Sequence, residues 1–313
     1  MSKWLTHVGT QAIDMSYLTH DSIYRLYHQG DVSFESGTLY LFLGDLHGNI
    51  KAAIIIDIRL QILFKRPLRC IFQVGDFGFW PSGLAAKNEA IYYKKEDALD
   101  FYDIAQAAKP QEFFSLGLGD LKTLKTPFYF IRGNHEDFEQ LDLMSPSIPS
   151  EVITGIYFIP DYFHGVIEDL HIMALGGILT DLERGKGKKA KLEFKKSKHK
   201  LKTDRRRSNV SLLVQLNSIG VDLLLTHSGL ASRENHDGSQ QLENYLISSD
   251  IRLHFYGHHH KFSMGKLGES SFSIGLRNID VDSRGILRPG SFTLVSWKDR
   301  NNFTLYSDTE VTL

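Results

Sequence analysis

Short runs of β-prone apolar residues recur along the chain, and five of them end alike. Leu39–Leu43, Cys70–Val74, Phe128–Ile131, Leu223–Leu225 and His254–Tyr256 each give way to glycine or threonine and then to a residue able to bind a metal. The ends read Gly44-Asp45-Leu46-His47, Gly75-Asp76, Gly133-Asn134-His135-Glu136, Thr226-His227 and Gly257-His258-His259-His260. Apolar runs of this length are what buried strands look like, and in open α/β sheets ligands gather where strand carboxyl ends converge. The pattern therefore predicts one crevice fed by five strands.

Between these runs the periodicity changes. A helix is predicted over Lys51–Leu63, with Asn49 either as its N-cap or as a phosphate contact. Further helical patterns fall around Asp21–His28, Lys87–Ala108, Glu112–Leu124 and Asn209–Ile219, with a helical turn after Glu136. Strands are predicted at Ile156–Ile159, Phe163–Ile167 and His171–Leu175, and alternating ones from Lys261 to Leu313. The expected organisation is an N-terminal extension or small cap, 1–36, and one domain, 37–313, interrupted by a basic insert at 184–207.

The residues at the strand ends form a mixed donor set. Asp45, Asp76, Asn134, His47, His227, His258 and His260 offer carboxylate, amide and imidazole but no thiolate. Such a set suits manganese first, with iron, zinc or nickel as alternatives, and the imidazoles argue against magnesium alone. One metal cannot use seven protein ligands and keep an open position. Two can, if Asp76 bridges them, and ion pairs about 3.5–4 Å apart are a common device for hydrolysing phosphate esters.

The series Asp-x-His, Gly-Asp, Gly-Asn-His-Glu, His and Gly-His-x-His, from Asp45 to His260, resembles the calcineurin-like metallophosphoesterase superfamily. The resemblance implies an α/β sandwich of two central mixed sheets flanked by helices, with a dinuclear site on the loops after the strands. The strands beyond Lys261 are then expected to complete the second sheet. Asp45, His47 and His260 would bind one divalent or trivalent ion, Asn134, His227 and His258 the other, and Asp76 both. His135 would be the non-ligand catalytic histidine that stabilises developing charge or protonates the leaving oxygen. A hydroxide bridging the metals would attack phosphorus in line. His259, between two ligands in an extended segment, must face away from the metals, towards substrate or water.

The departures from the family carry information. Protein phosphatases and diadenosine tetraphosphatases follow the second block with an arginine-containing signature, whereas this chain reads Phe77-Gly78-Phe79-Trp80-Pro81. The phosphate-clamping arginine is missing there, which weakens a phosphoprotein phosphatase reading. Phe77, Phe79 and Trp80 form either a stacking surface for a base or core beneath the site. Arg132 is either a phosphate contact or a strand-edge residue.

Composition sets bounds. With 313 residues and 42% hydrophobic content the chain can bury a large core. No apolar stretch suits a bilayer span and no signal-peptide pattern opens the sequence, so a cytoplasmic location is expected. Cys70, the one cysteine, falls in an apolar run and is expected to be a buried inert thiol. The net charge of −1 conceals the Arg184–Arg207 run, in which Glu193 and Asp204 are the only acids. Such a run either attracts a polyanion, such as single-stranded nucleic acid, or is a solvated loop.

Together these features predict a metal-dependent phosphoester hydrolase acting on nucleotides or nucleic acid. The alternatives are a phosphoprotein phosphatase and a non-catalytic metal-binding scaffold of the same fold.

Overall fold

All five ligand-bearing strands form, and they are shared between two sheets. The computed structural model describes residues 5–8, 11–14, 16–31, 36–82, 100–106, 126–181, 204–231, 238–282 and 286–310. Thr38–Leu43, Cys70–Gln73 and Phe128–Ile131 are parallel neighbours at the centre of an eight-stranded mixed sheet. Leu223–Thr226 and Leu253–Tyr256 are parallel neighbours in a six-stranded sheet. Because neighbouring strands in each set run the same way, their carboxyl ends and the loops beyond them share one rim.

The sheets face each other. Phe42 of the first stacks on Phe255 of the second with centroids 3.9 Å apart, inside an apolar layer that also contains Phe72, Ile131, Ile172 and Leu225. The helix Ile50–Phe64 covers the outer face of the first sheet, burying Ile54, Ile56 and Leu60 against Leu41, Ile71 and Phe128. The helix Gln240–Ser248 covers the second sheet through Leu242 and Leu246. The two-sheet architecture expected from the resemblance is therefore present. Cys70 lies inside it, fully buried, and burial pushes its thiol well above the usual range.

Several local expectations are corrected. The segment expected to be helical around Asp21–His28 contains the strand Tyr24–Gln29, which pairs antiparallel with Asn302–Ser307 at the edge of the eight-stranded sheet. Alternation decides it: Leu26 points into the core while its neighbours stay more exposed. The helix expected over Asn209–Ile219 spans only Val210–Leu213. The strands after Lys261 do not all join the second sheet. Ser263–Leu267 and Ser271–Gly275 do, but Phe292–Asp299 crosses to pair with Thr38–Leu43, bringing Asn302–Ser307 with it. Leu294 and Val295 alternate between the two faces of that sheet and are buried on both, as a central strand requires.

Of the helical pattern near Lys87–Ala108 the structure describes Asp100–Gln106, which is helical. The Glu112–Leu124 segment and residues 184–203 of the basic insert lie outside the described residues. Among the described residues, no helix is long and apolar enough to cross a membrane.

Candidate metal centre

At the rim, side chains from different strands close into two groups. Asp45, His47 and His260 present ligand atoms within 4.8 Å of one another, and so do Asp76, His227 and His258. In the first group His260 Nε2 lies 2.9 Å from Asp45 Oδ2 and 3.3 Å from His47 Nε2. In the second, His227 Nε2 lies 3.0 Å from Asn134 Oδ1 and 3.5 Å from Asp76 Oδ1. The other Asp76 oxygen is 3.8 Å from His47 Nε2, so this carboxylate stands between the groups.

The donor chemistry fits cations. His227 Nδ1 lies 2.9 Å from the Val74 carbonyl, which can only accept, so Nδ1 carries the proton and Nε2 is left with its lone pair. That lone pair faces an amide oxygen and a carboxylate oxygen, three acceptors turned towards one another, an arrangement that a positive ion resolves. Burial together with the neighbouring His227 pushes His258 down to about 4, so its ring is neutral at neutral pH and can ligate. Burial alone would raise Asp45 and Asp76. The imidazoles around them, His260 and His227 at Asp45 and His227 and His47 at Asp76, outweigh it and hold both below the usual carboxylate range.

Backbone strain is concentrated here. Seven non-glycine residues among those described have positive φ, and four of them are His47 (46°), Asp76 (50°), His258 (65°) and His260 (51°). Each costs on the order of 1–2 kcal/mol and persists only where surroundings enforce it, which marks a functional rim rather than an ordinary set of turns. The motif glycines allow the groups to close. A methyl group on Gly133 would collide with the Asp76 carboxylate, and one on Gly257 with the Asp45 carboxylate.

His135 stands beside the first group, its ring 5.2 Å from that of His47 and its backbone N–H donating to Asp76 Oδ1 at 2.8 Å. The segment around His259 is not extended, since His258 and His260 both have positive φ; the His259 ring accepts from the Gly229 N–H at 3.3 Å and packs edge-on to Tyr256 and to His258. Asn49 occupies the N-cap position but does not cap with its side chain, which donates to the Leu46 carbonyl at 2.9 Å. The acceptor for the first helical turn is instead Asp100, which takes the Lys51 N–H at 3.0 Å.

Phe77, Phe79 and Trp80 are buried. Phe77 stacks on Phe130 at 4.2 Å and Phe79 packs against Phe101, so these rings form core beneath the site and offer no face to a base. Arg132 is likewise not turned to a phosphate. Its guanidinium donates to Asp161 Oδ2, to the Arg205 carbonyl and to Ser208 Oγ at 2.8, 2.7 and 2.5 Å.

Two supporting residues carry no predicted role. Glu136 accepts the N–H groups of Phe77, Phe79 and Gly133 at 2.8, 2.7 and 3.2 Å, tying the Asp76 loop to the Asn134 loop. Burial and the nearby Asp76 push it up to about 8 against these three bonds. Gln73 accepts from Gly75 N and donates to the Gly44 carbonyl, joining the first two loops. Their signals were a charged residue closing a motif and a polar residue inside an apolar strand.

A model of the calcineurin-like phosphoesterase family matches residues 38–262. No curated protein matches the chain. Among solved structures, one covers 87% of this chain and 100% of its own at 11% identity and TM-score 0.42. A 5'-nucleotidase from Candida albicans SC5314 aligns over 90% of this chain at 13% identity and TM-score 0.37, and the chain spans about half of that protein, 52%.

Proposed function

The chain belongs to the calcineurin-like phosphoesterase family, and from that premise we propose that it is a dinuclear metal-dependent hydrolase of nucleotide or nucleic-acid phosphoesters. The observation that carries the dinuclear part is the position of Asp76, with one oxygen towards each group of ligands. Asp45, His47 and His260 would hold one ion, Asn134, His227 and His258 the other, and Asp76 would serve both; manganese would suit these nitrogen and oxygen donors. When bound, two such cations supply charge for the phosphate oxygens and a nucleophilic water at neutral pH.

The protein's own contribution is positioning. Asp76 accepts the N–H groups of Asn134 and His135 at 2.7 and 2.8 Å, which fixes the third loop relative to the second. His135, beside His47 and outside both ligand groups, donates a proton to the leaving oxygen or stabilises its charge. The nucleic-acid side of the reading rests on the basic run. Its arginines at 205, 206 and 207 pair with Asp142 and Asp204, and the contact with a polyanion is assigned to the lysines that the sequence clusters at 195–202. A cytoplasmic location accords with the single buried cysteine.

The test is metal analysis combined with hydrolysis of p-nitrophenyl phosphate, bis-p-nitrophenyl phosphate, cyclic nucleotides, dinucleoside polyphosphates and single-stranded RNA and DNA. Close to two equivalents of metal and metal-dependent turnover of a nucleotide substrate are expected; one equivalent, or hydrolysis indifferent to a chelator, would overturn the proposal. Exchanging Lys195, Lys196 and Lys198 for glutamine should flatten the slope of log affinity against log salt for a polynucleotide by about 0.7–0.9 for each phosphate no longer neutralised. An unchanged slope would confine the substrate to small nucleotides.

A further inference from the structure

The rings expected to stack on a base are buried, but an open cleft that includes the half-buried ring of Tyr162 lies one strand further along the same rim. It has a volume of about 550 Å³, within the usual range for a small-molecule site. One wall is Arg132, which immediately precedes Gly133 and the ligand Asn134. Joined to it through the Arg132–Asp161 ion pair is Pro160-Asp161-Tyr162, the loop after Ile156–Ile159, the parallel neighbour of Phe128–Ile131. Two residues of chain, at most about 7 Å, separate this wall from the ligand Asn134. The cleft is thus within reach of one substrate molecule whose phosphate sits at the ligands.

The lining says which part of a substrate would enter. The half-buried Tyr162 and Met144 are the aromatic and apolar side chains with surface to offer, and Phe158 and Phe163 lie buried behind them. Ser147, His164 and Asp142 bring hydrogen-bonding groups to the same space. Arg132 is the one arginine or lysine among the described lining residues, and its donors are committed to Asp161, Ser208 and the Arg205 carbonyl. Burial, then the stacked ring of His171, lower the pKa of His164, so it is neutral at neutral pH. The cleft therefore does not compete with the rim for phosphate. Leu143 and Ile148, 79% and 61% exposed, hold further apolar surface in water on the loop that lines it. An alkyl chain would leave the polar groups unmatched, whereas a base on its sugar has both a stacking face and polar edges.

We propose that this cleft is the subsite for the uncharged organic group of the substrate and that it takes a nucleoside. The inference rests on the phosphoesterase reading and names its substrate class.

Adenosine, which has no phosphate, tests it by calorimetric titration into the full chain as purified, into Ser147→Trp and into Met144→Ala. Ser147 is exposed at the rim, so tryptophan there narrows the mouth without entering the core; Met144 is half-buried, and its truncation removes a wall. Saturable binding is expected for the unaltered chain, weakened about tenfold or more by each substitution. Absence of binding to the unaltered chain, or equal affinity in a Ser147→Trp protein with an unchanged melting temperature, overturns the proposal. Tighter binding of octyl glucoside than of adenosine overturns the nucleoside class in favour of an alkyl chain. Chelator-sensitive hydrolysis of bis-p-nitrophenyl phosphate is measured alongside. If that hydrolysis fails while adenosine binds, the phosphoesterase reading falls and the nucleoside site stands; if hydrolysis succeeds while adenosine does not bind, the cleft proposal falls alone.

Discussion

The two ligand groups use the same residue types but sit differently in the fold. In the first, Asp45 is buried while the His260 side chain is 38% exposed, and His135 stands alongside. In the second, the His227 side chain is fully buried, its far nitrogen is anchored on the Val74 carbonyl, and Asn134 adds a buried fourth donor. An exposed imidazole can be replaced by water at little cost. A buried one cannot, because its loss leaves a carboxylate and an amide oxygen facing an empty space. On the proposed dinuclear reading the second group, with His227 fully buried, would retain an ion and the first would exchange ligands at His260, with His135 on the exchanging side.

Asp76 belongs to both groups, so its removal should erase the difference between them. Asp76→Ala is expected to abolish hydrolysis and to empty both positions, as read by metal analysis of the purified variant. Retention of one full equivalent with its affinity unchanged would show that the carboxylate serves a single group.

His135 provides the next largest effect. His135→Ala should lower turnover by about 10²–10⁴ while metal content stays at the level of the unaltered protein. Loss of metal would make His135 a ligand of the first group and would remove the asymmetry between a retaining half and a reacting half.

The asymmetry itself is measured by a pair of substitutions. His260→Ala should weaken binding of one metal equivalent by at least about 10-fold, the lower end of the loss seen when only an outer partner of a ligand is removed, with water taking its place. His227→Ala should cost more than this and lower the melting temperature as well, since it also breaks the bond to Val74 across the two sheets. Equal losses in a metal titration would mean that exposure does not distinguish the halves.

Much of this was legible in the chain, for a physical reason. A strand that ends in Gly-Asp or Gly-His is local, and the rule that ligands gather at carboxyl ends converts five local patterns into one site. The roles of Phe77, Phe79 and Arg132 were not legible in this way. Aromatic rings suit a stacking platform and a core equally, and only the packing of Phe130 and Phe101 against them decides. Arg132 reads as a phosphate contact until Asp161, from the next strand's loop, is seen to hold it. The crossing of Phe292–Asp299 into the first sheet was hidden for the same reason, because alternation gives a strand but not its partner. Asn49 shows the converse: its position at the helix start was readable, but the acceptor came from Asp100, about fifty residues away.

Glu136 offers the smallest effect and the finest distinction. Above about pH 8, where the side chain is ionised, both of its oxygens accept backbone N–H groups, so the amide in Glu136→Gln must turn a donor towards at least one of them. Leaving a buried donor unsatisfied costs about 1–3 kcal/mol, which a thermal or denaturant melt can read. Because the bonds run from the Asp76 loop to Gly133, beside Asn134, the loosened part is the second group, while Asp45 and His260 stay together at 2.9 Å. The expected outcome is a modest loss of stability together with weaker retention at the buried position and unchanged affinity at the open one. If the two positions weaken equally, Glu136 supports the rim as a whole, and the retaining character of the second group must come from the burial of His227 alone.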